Sequence, residues 1–112
     1  MEQNNNLKAL FIVINAGYTD EVMGIARKAG IPGATILNAR GEGATHKVFM
    51  GITMDSEKEI ILSVVNENVA EAVMQAVKEK AGVDRPAHSV CFTLPVEQIL
   101  GLNVTSMPIA EE

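Results

Sequence analysis

LKALFIVIN, residues 7–15, runs through Ala16 into GYTDEVMGIARKAGIPG, residues 17–33, and this junction decides the fold. The first segment is nine residues of mostly β-branched and apolar type, which predicts a strand. Thr19 is a good helix N-cap, followed by Asp20 and Glu21 where the positive end of the helix dipole favours acids. Val22, Ile25, Ala26 and Ala29 then share one face at helical spacing. Gly30 can take the left-handed stop position, and Pro32 bars continuation. A second strand is predicted over residues 34–40.

The pattern recurs downstream. EKEIILSVV, residues 57–65, predicts a strand, and Asn66 or Asn68 can cap a helix carrying Val69, Val73, Ala76 and Val77 on one stripe. Lys80-Ala81-Gly82-Val83 should end that helix as Lys28-Ala29-Gly30-Ile31 ends the first. SVCFTL, residues 89–94, predicts the last strand, and Pro95 suits the first turn of a short closing helix, PVEQIL. Residues 103–112 are expected to form a loose tail. Two βαβ units joined by a connection, with right-handed crossovers, put both helices on one face of one sheet. The expectation is an α+β, ferredoxin-like βαββαβ sandwich with a four-stranded antiparallel sheet. It forms a single domain over 1–112, with a core at 7–100 and a connection at 41–56.

A sheet with one wet face should alternate apolar and polar residues. These strands do not: Ala9, Phe11 and Val13 oppose Leu10, Ile12 and Ile14, and Ile60, Leu62 and Val64 oppose Ile61, Ser63 and Val65. A monomer would expose a contiguous apolar patch, so an oligomer of this chain is expected.

Composition narrows the function classes. The net charge of −5 and the lack of any Lys/Arg cluster argue against nucleic acid and anionic membranes. No apolar run approaches the roughly 18 residues of a membrane span, so no insertion is expected. MEQNNN lacks the layout of a signal peptide, and a cytoplasmic location fits. Cys91, the one cysteine, lies between Val90 and Phe92 and reads as a buried thiol, without a disulfide or cysteine metal site. His46 and His88 read as ordinary polar residues rather than metal ligands. No nucleophile–base set and no forced carboxylate pair appears, so catalysis is not expected; Asp55, Glu57 and Glu59 read as solvated charges.

GATILNARGEG, residues 33–43, has glycines at both ends of a strand. Turn chemistry and a ligand-approach site both explain them. Gly41-Glu42-Gly43 is not GxGxxG and precedes no helix, and GxxxxGK[ST] is absent. Residues alone leave both readings open.

Gly33-Ala34-Thr35, Arg40-Gly41-Glu42-Gly43 and Phe92-Thr93-Leu94-Pro95-Val96-Glu97, in this order and setting, resemble the PII signal-transduction proteins and their PII-like relatives over nearly all of 7–100. The resemblance implies a homotrimer with sheets facing inward. It also implies an adenine nucleotide (ADP, ATP or AMP) in clefts between subunits, and leaves magnesium open. Gly33 and Thr35 would line the adenine end, and Gly41 and Gly43 would let backbone N–H groups approach phosphate. Ala34, Arg40, Glu42, Ser63 and Val64 belong to the same nucleotide-binding set, and Arg85, Ala87, His88 and Ser89 would close the cleft from the neighbouring chain. Typical members carry Gly-Asp-Gly-Lys before the last strand and arginines after it; here stand Asp84-Arg85-Pro86-Ala87-His88-Ser89 and Gly101-Leu102-Asn103. Cations for phosphate would have to come from Arg40, His46, Lys47, Arg85 and His88, which favours few phosphates. Ala44 and Thr45 stand where a polar residue helps place 2-oxoglutarate, so oxoglutarate sensing is not expected.

The 41–56 connection is shorter than the usual T-loop of that family and holds no tyrosine. Its His46, Lys47, Val48, Phe49 and Met50 form either a docking finger for a protein partner or a hairpin packed on the trimer. The partner implied is a transporter or a metabolic enzyme. A CutA-like metal-binding trimer and a ligand-free structural trimer are the alternatives.

Overall fold

The computed structural model describes the backbone at residues 6–41, 47–49, 52–54 and 56–101, and the side chains at 6–41 and 57–101. The chain runs β1 (Leu7–Asn15), α1 (Thr19–Lys28), β2 (Thr35–Gly41), β3 (Lys47–Phe49), β4 (Ile52–Met54), β5 (Ser56–Asn66), α2 (Glu67–Ala81) and β6 (Val90–Pro95). The main sheet has four strands in the order β2-β5-β1-β6, all neighbours antiparallel, and β3 pairs with β4 in a separate hairpin. This is the expected βαββαβ sandwich, with strand ends within a residue of the sequence reading.

The core lies between the sheet and the helices. Leu10, Ile12 and Ile14 of β1 and Ile61 and Val65 of β5 are buried with Val22 and Ala26 of α1 and Val73 and Val77 of α2. Helix α1 ends as its glycine predicts. Gly30 sits at φ +121°, its N–H reaches the Arg27 carbonyl at 3.1 Å, and the Ile31 N–H reaches the Ala26 carbonyl at 3.1 Å. That paired closure satisfies carbonyls the helix would leave open, and Ile31 folds into the core.

Four local expectations need correction. Thr19 is not the N-cap: Tyr18 holds that place, and the buried Thr19 hydroxyl, at the start of α1, donates to the Glu59 carboxylate of β5. Glu59 is accordingly half-buried and hydrogen-bonded, not a solvated charge. Gly82 does not repeat Gly30; it is extended at φ −76°. Its lack of a side chain matters for another reason, since a Cβ there would sit 2.7 Å from the Lys78 carbonyl oxygen. PVEQIL forms no helix, because Pro95 closes β6 and the Val96 N–H extends the ladder to the Leu7 carbonyl at 3.2 Å. At α2, Asn66 is the N-cap but makes no side-chain cap bond; the Glu67 N–H is satisfied by the Asn6 carbonyl at 2.8 Å.

The other sheet face is apolar and open. Cross-strand register places Ala9, Phe11 and Val13 beside Val64, Leu62 and Ile60 on one flank and beside Leu94, Phe92 and Val90 on the other. The Phe11 and Phe92 rings stack at 4.8 Å between centroids and 6° between planes. Val90, Phe92 and Leu94 remain 48%, 43% and 50% exposed.

The two glycines at α1 and α2 should respond oppositely to alanine. Gly24→Ala, inside α1 with no atom within 4 Å of the new Cβ, should raise unfolding free energy by about 0.5–1 kcal/mol. Gly82→Ala should lower it by roughly 1–3 kcal/mol through the backbone clash, as read from urea midpoints.

Candidate functional site

The expected site residues fall in three places. Gly33, Ala34, Thr35, Ser63 and Val64 come together at the β2 edge, where a groove of about 520 Å³ opens between residues 32–35 and Leu62–Val64. The buried Ser63 hydroxyl donates to the Gly33 carbonyl at 2.5 Å and fixes the start of β2 against β5. Gly33 faces open space, with no atom within 4 Å of where its Cβ would be.

At the far end of β2, roughly 20 Å away at strand rise, lie Arg40 and Gly41. A second concavity of about 440 Å³ is formed there with Ala16 and residues 57–59. What approaches Gly41 closely is the Lys58 stem: a Cβ at 41 would lie 2.7 Å from Lys58 Cε.

Arg85, Ala87, His88 and Ser89 are on the opposite edge, in the turn that leads into β6. That turn is tightly knit. The Arg85 N–H donates to the Gly82 carbonyl at 3.0 Å, the His88 N–H to the Arg85 carbonyl at 2.9 Å and the Ser89 N–H to the Ala81 carbonyl at 2.9 Å. The Arg85 guanidinium reaches the Glu79 carbonyl at 3.3 Å, and His88 stands at φ +51° with its Nδ1 3.0 Å from the Val83 carbonyl oxygen. Ala87 is buried, so its side chain is core. The Ser89 hydroxyl is buried without a hydrogen-bond partner, beside a groove of about 510 Å³ between α2 and Cys91.

A single chain therefore does not bring the two expected cleft walls together. Strands β5 and β1 separate them, three inter-strand spacings or roughly 14 Å. Of the remaining expected residues, Glu42, Gly43, His46 and Met50 lie outside the described residues. Lys47, Val48 and Phe49 are described only as the backbone of β3, which pairs with β4.

Sequence reasoning missed Asn15 and Lys58. Lys58 Nζ donates to Asn15 Oδ1 at 2.5 Å, and Asn15 Nδ2 donates to the Pro86 carbonyl at 2.9 Å. One signal was available: Asn15 is a polar residue directly after the apolar run of residues 9–14. Its partners follow only from strand pairing, which sets Asn15 opposite Lys58.

The sequence model for nitrogen regulatory protein P-II matches residues 7–103. The chain belongs to the P-II family. No curated protein matches the sequence. Solved P-II structures share its fold. A PII-like signalling protein from Thermus thermophilus matches with TM-score 0.62 and 23% identity, over 80% of this chain and 85% of that one. The PII-like protein CPII of Thiomonas intermedia, bound to ADP, AMP and bicarbonate, matches with TM-score 0.63 and 17% identity over 86% and 96%. The GlnK–ATP complex of B. subtilis matches with TM-score 0.64 and 16% identity over 83% and 86%. Among the described residues of this P-II chain, no group of three or more His, Cys, Asp or Glu could hold a metal ion, and no helix is long and apolar enough to cross a membrane.

Burial pushes the Cys91 thiol up to about 11 from 9.0, which marks a packing residue rather than a nucleophile. Because the folded value lies above the unfolded one, its contribution to stability is complete below pH 9 and declines as pH rises through about 11. Iodoacetamide at pH 8 should alkylate the native protein at least about tenfold more slowly than the urea-unfolded chain, followed by mass spectrometry.

Proposed function

We propose that this chain is a P-II-type regulatory protein that forms a homotrimer in the cytoplasm. In this reading it binds an adenine nucleotide between subunits and uses the 41–56 connection to act on a partner protein. The observation that carries the reading is the separation of the two cleft walls onto opposite edges of one sheet whose second face is bare and apolar. Covering that face with further copies, sheets inward, sets the β2 edge of one chain against the β6 edge of the next. Each cleft then takes residues 33–41 with Ser63 and Val64 from one chain, and the 85–89 turn from its neighbour. The nucleotides bound by CPII and GlnK support an adenine ligand for the same cleft.

The role of the bound nucleotide is to bias the connection that leaves β2 at Gly41 and returns at Ser56. A partner that prefers one state of the connection must alter nucleotide affinity by the same factor. A transporter or a metabolic enzyme is the proposed class of partner. The protein acts by binding and not by catalysis.

Sedimentation and calorimetry test this together. The wild type should sediment at three times 12.0 kDa, and Phe92→Asp, on the exposed apolar face beside Phe11, at 12.0 kDa. AMP, ADP and ATP, each with and without magnesium, should be titrated into the wild type, with at least one giving a saturable heat. Gly33→Val should leave the trimer folded, since its Cβ meets no atom of the chain, yet weaken nucleotide at least about tenfold. A folded wild-type monomer removes the proposal. A trimer silent to millimolar nucleotide removes the ligand, and then copper titration would decide between a metal-binding trimer and a structural one.

A further inference from the structure

Side-chain hydrogen bonds at one end of the sheet link β5 through β1 to the turn that leads into β6. Asn15 is the last residue of β1 and pairs with Lys58 of β5. Its Oδ1 accepts from Lys58 Nζ at 2.5 Å, its Nδ2 donates to the Pro86 carbonyl at 2.9 Å, and its backbone N–H donates to the Ala87 carbonyl at 3.0 Å. Both ends of the carboxamide are thus engaged, in opposite directions. Lys58 is itself channelled by Gly41, whose missing side chain leaves the lane its stem occupies. A continuous line of contacts runs from Gly41 on the β2 edge, through Lys58 and Asn15, to Pro86 and Ala87 on the β6 edge. An aspartate at 15 would lack the donor and an aliphatic residue would lack both groups, so the chemistry is specific to a carboxamide.

We propose that Asn15 is a positioning residue coupling the two edges of each chain, so that the state of the Lys58 ammonium sets how tightly the 84–89 turn is held. Whatever draws Lys58 off Asn15 leaves Oδ1 without its donor, lets the carboxamide rotate, and weakens its hold on Pro86. In the trimer of the proposed function the two edges face different clefts, so the junction carries the state of one cleft to the next. That last meaning rests on the proposed function; the junction itself does not.

Amide hydrogen exchange on the unliganded protein tests the junction directly. Lys58→Met keeps the stem and removes the ammonium. It should speed exchange of the Asn15 and His88 amides roughly three- to tenfold, with the middle of β1 unchanged. Asn15→Leu should give the same acceleration, and Lys58→Met added to Asn15→Leu should do nothing further at His88. Unchanged turn amides in Lys58→Met, or additive effects in the double variant, would overturn the junction. Nucleotide titration of the wild type is read separately. A protein that binds no nucleotide yet shows this exchange pattern loses the ligand reading and keeps the junction. One that binds nucleotide while its turn ignores Lys58→Met loses the junction alone.

Discussion

One sheet face too apolar to stay in water governs this molecule. Leu10, Ile12 and Ile14 are shielded by the two helices, while Phe11, stacked on Phe92, lies on a surface that the chain's own helices leave bare. At roughly 25 cal/mol per Å² of apolar surface removed from water, a patch spanning three adjacent strands is a strong force for self-association. It also constrains geometry. Sharing that face among copies would bring strand edges of different chains close to one another.

The two edges differ in character. Along β2 the backbone is accessible, Gly33 opens onto empty space and Ser63 pins the strand from beneath. The β6 edge begins with a compact turn braced by its own backbone hydrogen bonds, in which one residue sits in the left-handed region without being glycine and a serine hydroxyl is buried unpaired.

Much of the fold was legible because it rests on local rules. Strand β1 matched its sequence reading at both ends, and Gly30 closed α1 as a left-handed stop. Two of the failures share one cause, a contact from far along the chain that the local pattern does not reveal, and a third comes from two helix ends built differently. Thr19 suits an N-cap by type, but Glu59, forty residues on, takes its hydroxyl. PVEQIL has a helical opening, but Leu7 claims the Val96 N–H. Gly82 looks like a copy of Gly30, but the carbonyl of Lys78 explains it instead. Gly33, Thr35, Ser63 and Val64 line one groove at the β2 edge, because strand pairing lays the start of β2 against β5. Asn15 and Lys58 were not foreseen, since each reads as an ordinary polar residue until the strands are paired.

The register of β2 on β5 fixes Gly41 opposite Ser56, so the intervening stretch hangs from a closed ladder rung. Its ends are held by the sheet whatever its own sequence does. Lengthening such an insert costs only the logarithm of its size, about 0.6 kcal/mol per doubling. Natural variation can therefore rewrite the stretch wholesale while the scaffold beneath stays the same.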